Sequence, residues 1–548
     1  MRTARNTLVT AVVLAASVFV LYAWRVADVP IYLCDAEVLF ALNSQSIAST
    51  AHDVNGRLLP LYFQVYGDMW FQPILVYFSA LFLKLLPLSE WAVRLPSVAV
   101  GVIDVVLMYL IAQRVFKREP LARLAAVLLT LTPAHFIHSR LAMDYLYPVP
   151  FVMAWLLCLL VFLERKRRWM LFLGTSVLGI GVYSYIASMI LMPVYLLLTL
   201  FVIYQTASRR RPLYTVAIAG FAWPLLLLPA WLFFHPTAIA DTAGRYELSD
   251  ISRLLRPASA QATAGSTSSP GTAKKPLAVV MQELRRAARF SGVTGRISLY
   301  WYFFDPSYLF LMGGYANVIN STRRVGVFLM PLLVFIPVGL YAVARYRRTP
   351  VNLVLALGLA SAPLAACLVV PEPYAIDREL ELLPFAIVIA TFGVDYMLAA
   401  RQQVWRRAAF VLLAFVPLHF CFFVVDYFGD YRVTSAFWFE GNRRGALEQI
   451  IDREPREHPP AIYLSKAIPY IDAYWRFYVM KHGRQDLLER TEYFDPKNLN
   501  VQAVPERSVL LTTPDDTEVQ ALVAAGRLRM LALIPEPADP PSFAIFQR

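Results

Sequence analysis

Long apolar runs constrain this chain more than any other feature of its sequence. A bilayer core about 30 Å thick is crossed by roughly 20 mostly apolar helical residues. With 58% of its 548 residues hydrophobic and 16% charged, the chain is far from the ~25% charged residues of soluble domains. It therefore predicts a polytopic α-helical membrane protein with about 11 transmembrane helices. The apolar runs lie at 7–25, 95–113, 121–138, 148–163, 169–186, 188–206, 213–234, 325–344, 352–370, 380–400 and 408–426.

The first run, 7–25, allows two interpretations. Arg2 and Arg5 precede it, as basic residues precede the apolar core of a signal peptide. The apolar stretch continues to Trp24, however, and no small-residue cleavage site follows at once. We therefore expect a retained transmembrane helix.

Basic residues predict the orientation of the chain, because connections on the cytoplasmic side are rich in Lys and Arg. The amino terminus and five alternate connections hold 19 Lys and Arg residues and two acids, Glu119 and Glu164. We expect a cytoplasmic amino terminus and an external carboxy terminus. The net charge of +13 is then a topology signal. No nucleic-acid partner is expected, since these basic runs are short and lack interleaved aromatic residues.

Three longer segments remain for the external side. Segment 26–92 contains two amphipathic stretches, which predict helices lying at the membrane interface. Segment 235–324 includes a low-complexity stretch, 257–276, which predicts a flexible loop. Segment 427–548 is polar and has strand-like runs AIYLS, SVLLTT and SFAIFQ, so we expect a small external α/β domain after a transmembrane module at 1–426.

Ionisable residues gather at the predicted external ends of the apolar runs. If the helices form a bundle, these groups meet at one level and form a polar site roofed by the carboxy-terminal domain. The first group comprises Asp35, Glu37, Arg57, Asp68, Lys84 and Arg94. The second comprises His135, His138, Arg140 and Asp144, and the third comprises Asp377, Arg378, Glu379 and Glu381.

Several motifs resemble those of one enzyme family. An acidic pair after the first apolar run is followed by an aromatic-Gln-Pro helix, WFQPILVYFSALFLKLLPLSEWAVRLPS. Further along, the chain reads HSRLAMDYLYP, WYFFDPSYLFLMGG and DRELELLPF. Over residues 7–426 this order resembles the GT-C fold glycosyltransferases, and within them the protein O-mannosyltransferase and aminoarabinose transferase group, glycosyltransferase family 39.

The resemblance implies a polyprenyl-phosphate-sugar donor, transfer on the external face, and a lipid, glycan or protein acceptor. It places a catalytic acid in the first external loop, where Asp35 fits best. The family has an adjacent Asp-Glu pair, whereas this chain reads Asp35-Ala36-Glu37. Asp35 and Glu37 are therefore both candidates, and the second acid of the family corresponds to Asp144.

The chemistry of such a transfer gives roles to the remaining groups. An acceptor hydroxyl must lose a proton, which a carboxylate can accept as general base. Cationic side chains stabilise the departing phosphate. Each residue also has a structural alternative, since Asp35 or Glu37 could cap a helix and Asp144 could pair with Arg140. The predicted phosphate ligands are Arg140, Arg378, Arg94 and Lys84, and the predicted substrate-binding residues are Arg57, Asp68, Gln72 and His138.

No cofactor and no metal site are predicted. His135 and His138 lack a clear third ligand, although the candidate carboxylates could also serve a divalent cation. The alternative function is a transporter or flippase of a lipid-linked or anionic substrate, which would carry charged groups near the bilayer midplane. Gathering of the charges at one boundary favours the enzyme. The compact single chain with Ala/Leu/Arg-rich spans predicts the inner membrane of a bacterium.

Overall fold

The computed structural model describes residues 2–67, 69–208, 210–238, 241–242, 290–314, 318–346, 349–369 and 373–548. Two features of the sequence lie outside these residues. They are Asp68, a predicted substrate-binding residue, and the low-complexity stretch 257–276.

The first half of the chain is helical. A two-stranded hairpin, β1 (Phe63–Gln64) and β2 (Trp70–Phe71), interrupts the helices after α2. The helices are α1 (Arg2–Ala23), α2 (Asp35–Thr50), α3 (Ile74–Leu83), α4 (Glu90–Phe116), α5 (Glu119–Thr130), α6 (Pro133–His138), α7 (Pro148–Arg165), α8 (Arg168–Gly181), α9 (Ser188–Thr206), α10 (Arg211–Ala222) and α11 (Leu227–Phe234).

The helical bundle continues in the second half of the chain. A short 3₁₀ turn, Ile376–Arg378, lies between α15 and α16 and carries a predicted site residue. The helices are α12 (Phe290–Tyr302), α13 (Leu332–Tyr346), α14 (Pro350–Ser361), α15 (Pro363–Val369), α16 (Leu382–Leu398), α17 (Gln403–Phe428) and α18 (Asp430–Thr434).

Every predicted apolar run coincides with one or more of these helices. Where a run is divided, a proline stands at the break, as Pro133 does between α5 and α6 and Pro363 does between α14 and α15. Proline lacks the N–H that would continue the hydrogen-bond ladder. Seven helical segments in the described chain are long and apolar enough to cross a membrane, and α3, α13 and α16 are shorter apolar helices. The number of crossings stays a prediction.

Small residues allow helices of the bundle to approach closely. At the crossing of α13 and α16, a Cβ added to Gly339 would overlap the carbonyl of Ile389. A Cβ added to Gly393 would in turn overlap the carbonyl of Phe335. Helices that pack inside a membrane use small residues in this way, because close contact replaces the missing hydrophobic driving force.

The carboxy-terminal region forms a five-stranded mixed sheet with the order β4-β3-β5-β7-β6. Strand β3 is parallel to β4 and β5, whereas β7 is antiparallel to β5 and β6. The three strand-like runs of the sequence are β3, β5 and β7. The elements are α19 (Arg443–Glu457), β3 (Ile462–Ser465), α20 (Ile471–Lys481), β4 (Thr491–Phe494), β5 (Val509–Thr512), α21 (Thr517–Ala524), β6 (Arg529–Ile534) and β7 (Phe543–Gln547).

This region packs against the segment between α1 and α4. The hydroxyl of Tyr474 on α20 donates to the carbonyl of Leu33 at 2.9 Å. The ammonium of Lys481 lies 2.8 Å from the carboxylate of Glu90. The sheet region therefore covers the amino end of α2, where the predicted catalytic acids lie.

Candidate active site

A cavity of about 410 Å³ lies beside the amino end of α2. Its wall is contributed by separate parts of the chain, and it has the size of a small-ligand site, for which ~300–1,000 Å³ is typical. The lining residues are Cys34, Asp35, Ala36, Phe40, Tyr66, Met69, Trp70, Phe71, Gln72, Met143, Asp144, Tyr145, Tyr185, Ile186, Asp241, Thr242, Ile319 and Arg378.

Four of the predicted site residues line this cavity. Asp35 is the first residue of α2, and Gln72 follows strand β2. Asp144 begins the short turn Asp144–Leu146 before α7, and Arg378 ends the turn Ile376–Arg378 before α16. The fold thus brings together polar residues that are more than 300 positions apart in the sequence.

Asp35 is held at the cavity wall by its neighbours. Its carboxylate accepts the N–H of Ala36 at 2.7 Å, at a helix amino end that favours negative charge. Burial raises the pKa of Tyr66 well above its ordinary value, and the nearby Asp35 carboxylate, to which the hydroxyl donates, raises that pKa further. Tyr66 therefore stays protonated and remains a donor to Asp35.

The other polar residues of the wall differ in exposure. Gln72 and Asp144 are buried, whereas the Arg378 side chain is 18% exposed. Burial raises the pKa of the adjacent Asp377, whose carboxylate lies 3.7 Å from the Arg378 guanidinium, and that guanidinium lowers it. The cavity thus combines carboxylates with a guanidinium, which suits a ligand carrying both hydroxyls and an anionic group.

Glu37 faces away from the cavity and is fully buried. Its carboxylate accepts hydrogen bonds from Arg94 at 2.8 and 2.9 Å, and from the N–H groups of Ala142 at 2.9 Å and Cys34 at 3.2 Å. The remaining guanidinium N–H groups of Arg94 donate to the carbonyls of Val26, Pro30 and Tyr32. The pair therefore fixes the chain just before Asp35.

Arg140 has a similar structural setting. Its guanidinium donates to the carbonyls of Tyr22, Trp24, Arg25 and Val29, at 2.6 to 3.1 Å. It therefore caps the carboxy end of α1, where unpaired carbonyls attract a cation, and it does not pair with Asp144. We refer to Glu37, Arg94 and Arg140 together as the buried clamp, since all three are buried and none lines the cavity.

The remaining predicted residues lie outside the cavity wall. Arg57 pairs with Asp53 at 2.6 Å and stacks over the Trp70 ring at 4.9 Å. Lys84 is exposed beside an apolar groove formed by α2 and α3. His138 is buried and its Nδ1 contacts the carbonyl of Ala134 at 2.7 Å.

Aromatic residues of the wall were not predicted from the sequence. Tyr145 and Tyr185 contact each other with ring centroids 5.6 Å apart, and Trp70 contacts the Trp231 ring at 5.1 Å. Trp70 stands two positions before Gln72 in the aromatic-Gln-Pro motif, which is a usable signal. Tyr185 lies in an apolar stretch where nothing distinguishes it from a packing residue.

The described residues contain no group of three or more His, Cys, Asp or Glu side chains arranged to hold a metal ion. His135 instead contacts the Tyr22 hydroxyl at 2.8 Å and the Asp104 carboxylate at 3.3 Å inside the bundle.

The fold defines the class of this protein. It is similar to ArnT from Cupriavidus metallidurans in the apo state, with a TM-score of 0.58 and 12% identity over 99% of this chain and 98% of that chain. The same protein bound to undecaprenyl phosphate matches with a TM-score of 0.55 and 11% identity over 98% of this chain and 97% of that chain. The chain thus has the GT-C fold, which confirms the predicted fold class.

Part of the sequence also resembles a known protein family. Residues 72–232 match the family described as dolichyl-phosphate-mannose-protein mannosyltransferase. The matched part includes Gln72, Arg94, Arg140 and Asp144, whereas Asp35 precedes it. The predicted resemblance to the O-mannosyltransferase and aminoarabinose transferase group is confirmed.

Two further comparisons add less. The archaeal oligosaccharyltransferase AglB from Archaeoglobus fulgidus, in complex with an inhibitory peptide and a dolichol-phosphate, matches with a TM-score of 0.47 and 13% identity. That match covers 84% of this chain and 63% of AglB. No curated protein sequence matches the chain.

Proposed function

We propose that the chain is an integral membrane glycosyltransferase that moves a sugar from a polyprenyl-phosphate donor to an acceptor at the external face of the membrane. The observation that carries the proposal is the cavity, where Asp35, Asp144 and Arg378 meet on a GT-C fold. The undecaprenyl phosphate bound by ArnT and the dolichyl-phosphate-mannose family match support a lipid-phosphate donor. The similarity to ArnT and the long apolar helices also support a bacterial inner-membrane location.

Asp35 acts as general base in this proposal. It takes the proton of an acceptor hydroxyl while the hydroxyl oxygen attacks the anomeric carbon of the sugar. The bond between that carbon and the phosphate oxygen breaks, and its electron pair leaves with the phosphate. A single displacement of this kind inverts the anomeric configuration. Tyr66 positions the Asp35 carboxylate by donating a hydrogen bond to it.

Arg378 stabilises the departing phosphate, because its guanidinium lines the same cavity and an arginine–phosphate hydrogen bond strengthens as charge develops. Asp144 and Gln72 hold hydroxyl groups of the sugar. Contacts of Arg94, Arg140 and Lys84 with the phosphate stay predictions, as do roles for Arg57, Asp68 and His138. We assign the phosphate to Arg378 because Arg378 lines the cavity, whereas Arg94 and Arg140 do not.

A transfer assay tests this function. The purified protein in lipid vesicles is given polyprenyl-phosphate sugars and a panel of lipid, glycan and protein acceptors. Asp35→Asn is expected to lower the turnover rate by about 10²- to 10⁴-fold, the usual contribution of a general base. Asp28→Asn is the matched control, because Asp28 is an exposed acid in the same loop that pairs with Arg25.

Two results would contradict the proposal. If Asp35→Asn, shown to be folded, transfers sugar at the wild-type rate, Asp35 is not the base. If the wild-type protein moves labelled lipid-linked sugar across the vesicle membrane and transfers it to none of the acceptors, the chain is a flippase.

A further inference from the structure

A second cavity, of about 870 Å³, lies in the carboxy-terminal region. It shares no lining residue with the cavity beside α2. Its wall comes from residues 437–443 before α19, from the loop that follows β5, and from residues 539–543 at the start of β7. The cavity lies where the parallel strands β3 and β5 end, the edge at which open α/β sheets commonly bind ligands.

Two adjacent aromatic rings form one side of this cavity. Phe437 is 65% exposed and Trp438 is 42% exposed, although both side chains are large and apolar. A single exposed aromatic residue is ordinary, but neighbouring rings on a cavity wall mark a binding surface. Flat exposed rings suit the apolar C–H faces of a sugar, which stack on aromatic residues.

Arg443 supplies hydrogen-bond donors that nothing in the described chain uses. The residue is 4% exposed and lines the cavity. Its Nη2 contacts Glu440 at 2.6 Å and its guanidinium stacks on Tyr474 at 4.6 Å. Its Nε and Nη1 atoms have no hydrogen-bond partner among the described residues. Buried donors are nearly always paired, so these N–H groups require an oxygen acceptor, which a water molecule or an oxygen-bearing ligand of the cavity supplies.

The charges of the wall select among oxygen-bearing ligands. Glu440 already neutralises Arg443, and the exposed carboxylates of Asp515 and Asp539 add negative charge. These carboxylates disfavour a phosphate or an anionic lipid headgroup, and the nearby cation Arg323 is already stacked on the Trp438 ring at 5.6 Å. Neutral hydroxyl groups and amino groups would instead find both acceptors and donors. Aromatic faces, carboxylates and a planar donor together fit a saccharide.

We propose that this cavity is a saccharide-binding site, separate from the cavity beside α2, for a neutral or amino-bearing glycan. Phe437 and Trp438 stack on the sugar rings, Arg443 donates to a ring or hydroxyl oxygen, and Asp515 and Asp539 accept from hydroxyl or ammonium groups. Binding here requires no donor lipid and no transfer step, so the proposal does not depend on the proposed enzymatic function.

Direct binding to the full-length protein in lipid nanodiscs tests the site. The probes are chitotriose, which is neutral, and its deacetylated form, which is cationic, each followed by saturation-transfer NMR and tryptophan fluorescence. Trp438→Ala is expected to raise the dissociation constant about tenfold, as for loss of an aromatic stacking contact. Trp405→Ala is the matched control, since Trp405 is 47% exposed, lies near the amino end of α17 and does not line this cavity.

The outcomes distinguish the proposed saccharide site from the cavity beside α2. Asp35→Asn should leave saccharide binding unchanged, and Trp438→Ala should remain folded because its ring is exposed. Asp515→Asn with Asp539→Asn should weaken the cationic probe more than the neutral one. Failure of both probes to bind at about 10 mM, or equal binding by Trp438→Ala, overturns the proposal. Displacement of the probes by phosphatidylglycerol vesicles would show an anionic-lipid site instead and would also overturn it.

Discussion

The wall of the cavity beside α2 and the buried clamp behind it use the same residue types for different purposes. Asp35 and Glu37 are two positions apart on one helix, yet Asp35 faces the cavity and Glu37 is sealed against Arg94. Arg378 lines the cavity, whereas Arg140 donates its N–H groups to the end of α1. Residue type alone therefore does not show which charged residues at this end of the helical bundle line the cavity.

The difference is explained by how many partners each group already has. The carboxylate of Glu37 accepts four hydrogen bonds within the protein. A buried carboxylate with this many partners holds the surrounding backbone in place, because breaking the pair with Arg94 leaves an uncompensated charge in an apolar setting. Asp35 is partly exposed to the cavity and can accept a proton from a ligand.

The largest expected effect comes from breaking the buried clamp. Arg94→Ala removes the partner of Glu37 and the donors to three carbonyls, so we expect a loss of about 3–5 kcal/mol of stability. Thermal unfolding of the purified protein in detergent measures it, with Asp35→Asn as the matched variant that should unfold like the wild type. Wild-type stability of Arg94→Ala would show that the clamp is dispensable.

The next largest effect is expected from changing Arg378 in the wall of the cavity beside α2. Arg378→Ala should reduce kcat/KM for the lipid-phosphate donor by roughly 10- to 100-fold, since a hydrogen bond to a charged group is worth about 1.5–3 kcal/mol. Arg378→Lys should recover part of the loss, because it restores the charge without the planar donor pair. Steady-state transfer rates at varied donor concentration measure both. An unchanged kcat/KM in Arg378→Ala would remove Arg378 from the phosphate site.

The helices could be predicted from the sequence because bilayer-spanning segments leave a strong local signal. Each apolar run became helix, and the breaks at Pro133 and Pro363 follow from proline itself. The strands β3, β5 and β7 are fully or nearly fully buried and read as apolar runs. Strands β4 and β6 are largely exposed and their apolar residues alternate poorly, so they could not be predicted from a comparable pattern.

The position of the candidate site could be predicted from the sequence. Which charged residues line the cavity and which form the buried clamp could not. The motifs around Asp35, Asp144 and Arg378 predict one polar level at the end of the bundle, and these residues do line one cavity. Which side chain faces that cavity depends on contacts made more than 50 positions away, such as the one between Glu37 and Arg94. Those contacts cannot be predicted from residue type and spacing.

A smaller effect is expected from the buried carboxylate of Glu379, whose surroundings differ from those of Glu37. Glu379 is as buried as Glu37, but in the described chain it forms no ion pair with Lys or Arg and accepts a hydrogen bond from Tyr308 at 2.8 Å. Burial raises the pKa of Glu379 well above its ordinary value, and Glu381 and Asp377 raise it further. Glu379 is therefore expected to be protonated.

The sign of the pH dependence follows from linkage. The folded protein holds the Glu379 proton more tightly than the unfolded chain does, so its stabilisation is complete below about pH 4.3, the ordinary pKa of glutamate, and is lost as pH rises through the folded pKa. Glu379→Gln does not titrate and should gain stability relative to the wild type as pH rises. Unfolding midpoints across pH measure this, with exposed Glu506→Gln as control. Parallel curves would show that Glu379 is ionised.

The smallest expected effect comes from changing Lys84, and it tests whether the donor phosphate site is confined to the cavity beside α2. Lys84 was predicted as a phosphate ligand together with Arg378, but it is exposed beside the groove between α2 and α3. An exposed cation outside the cavity should contribute little, so we expect Lys84→Ala to change kcat/KM by less than about twofold and stability by less than ~0.5 kcal/mol. The assay used for Arg378→Ala measures it. A loss as large as that of Arg378→Ala would extend the donor site along this groove, and the lipid-phosphate path would then run between α2 and α3.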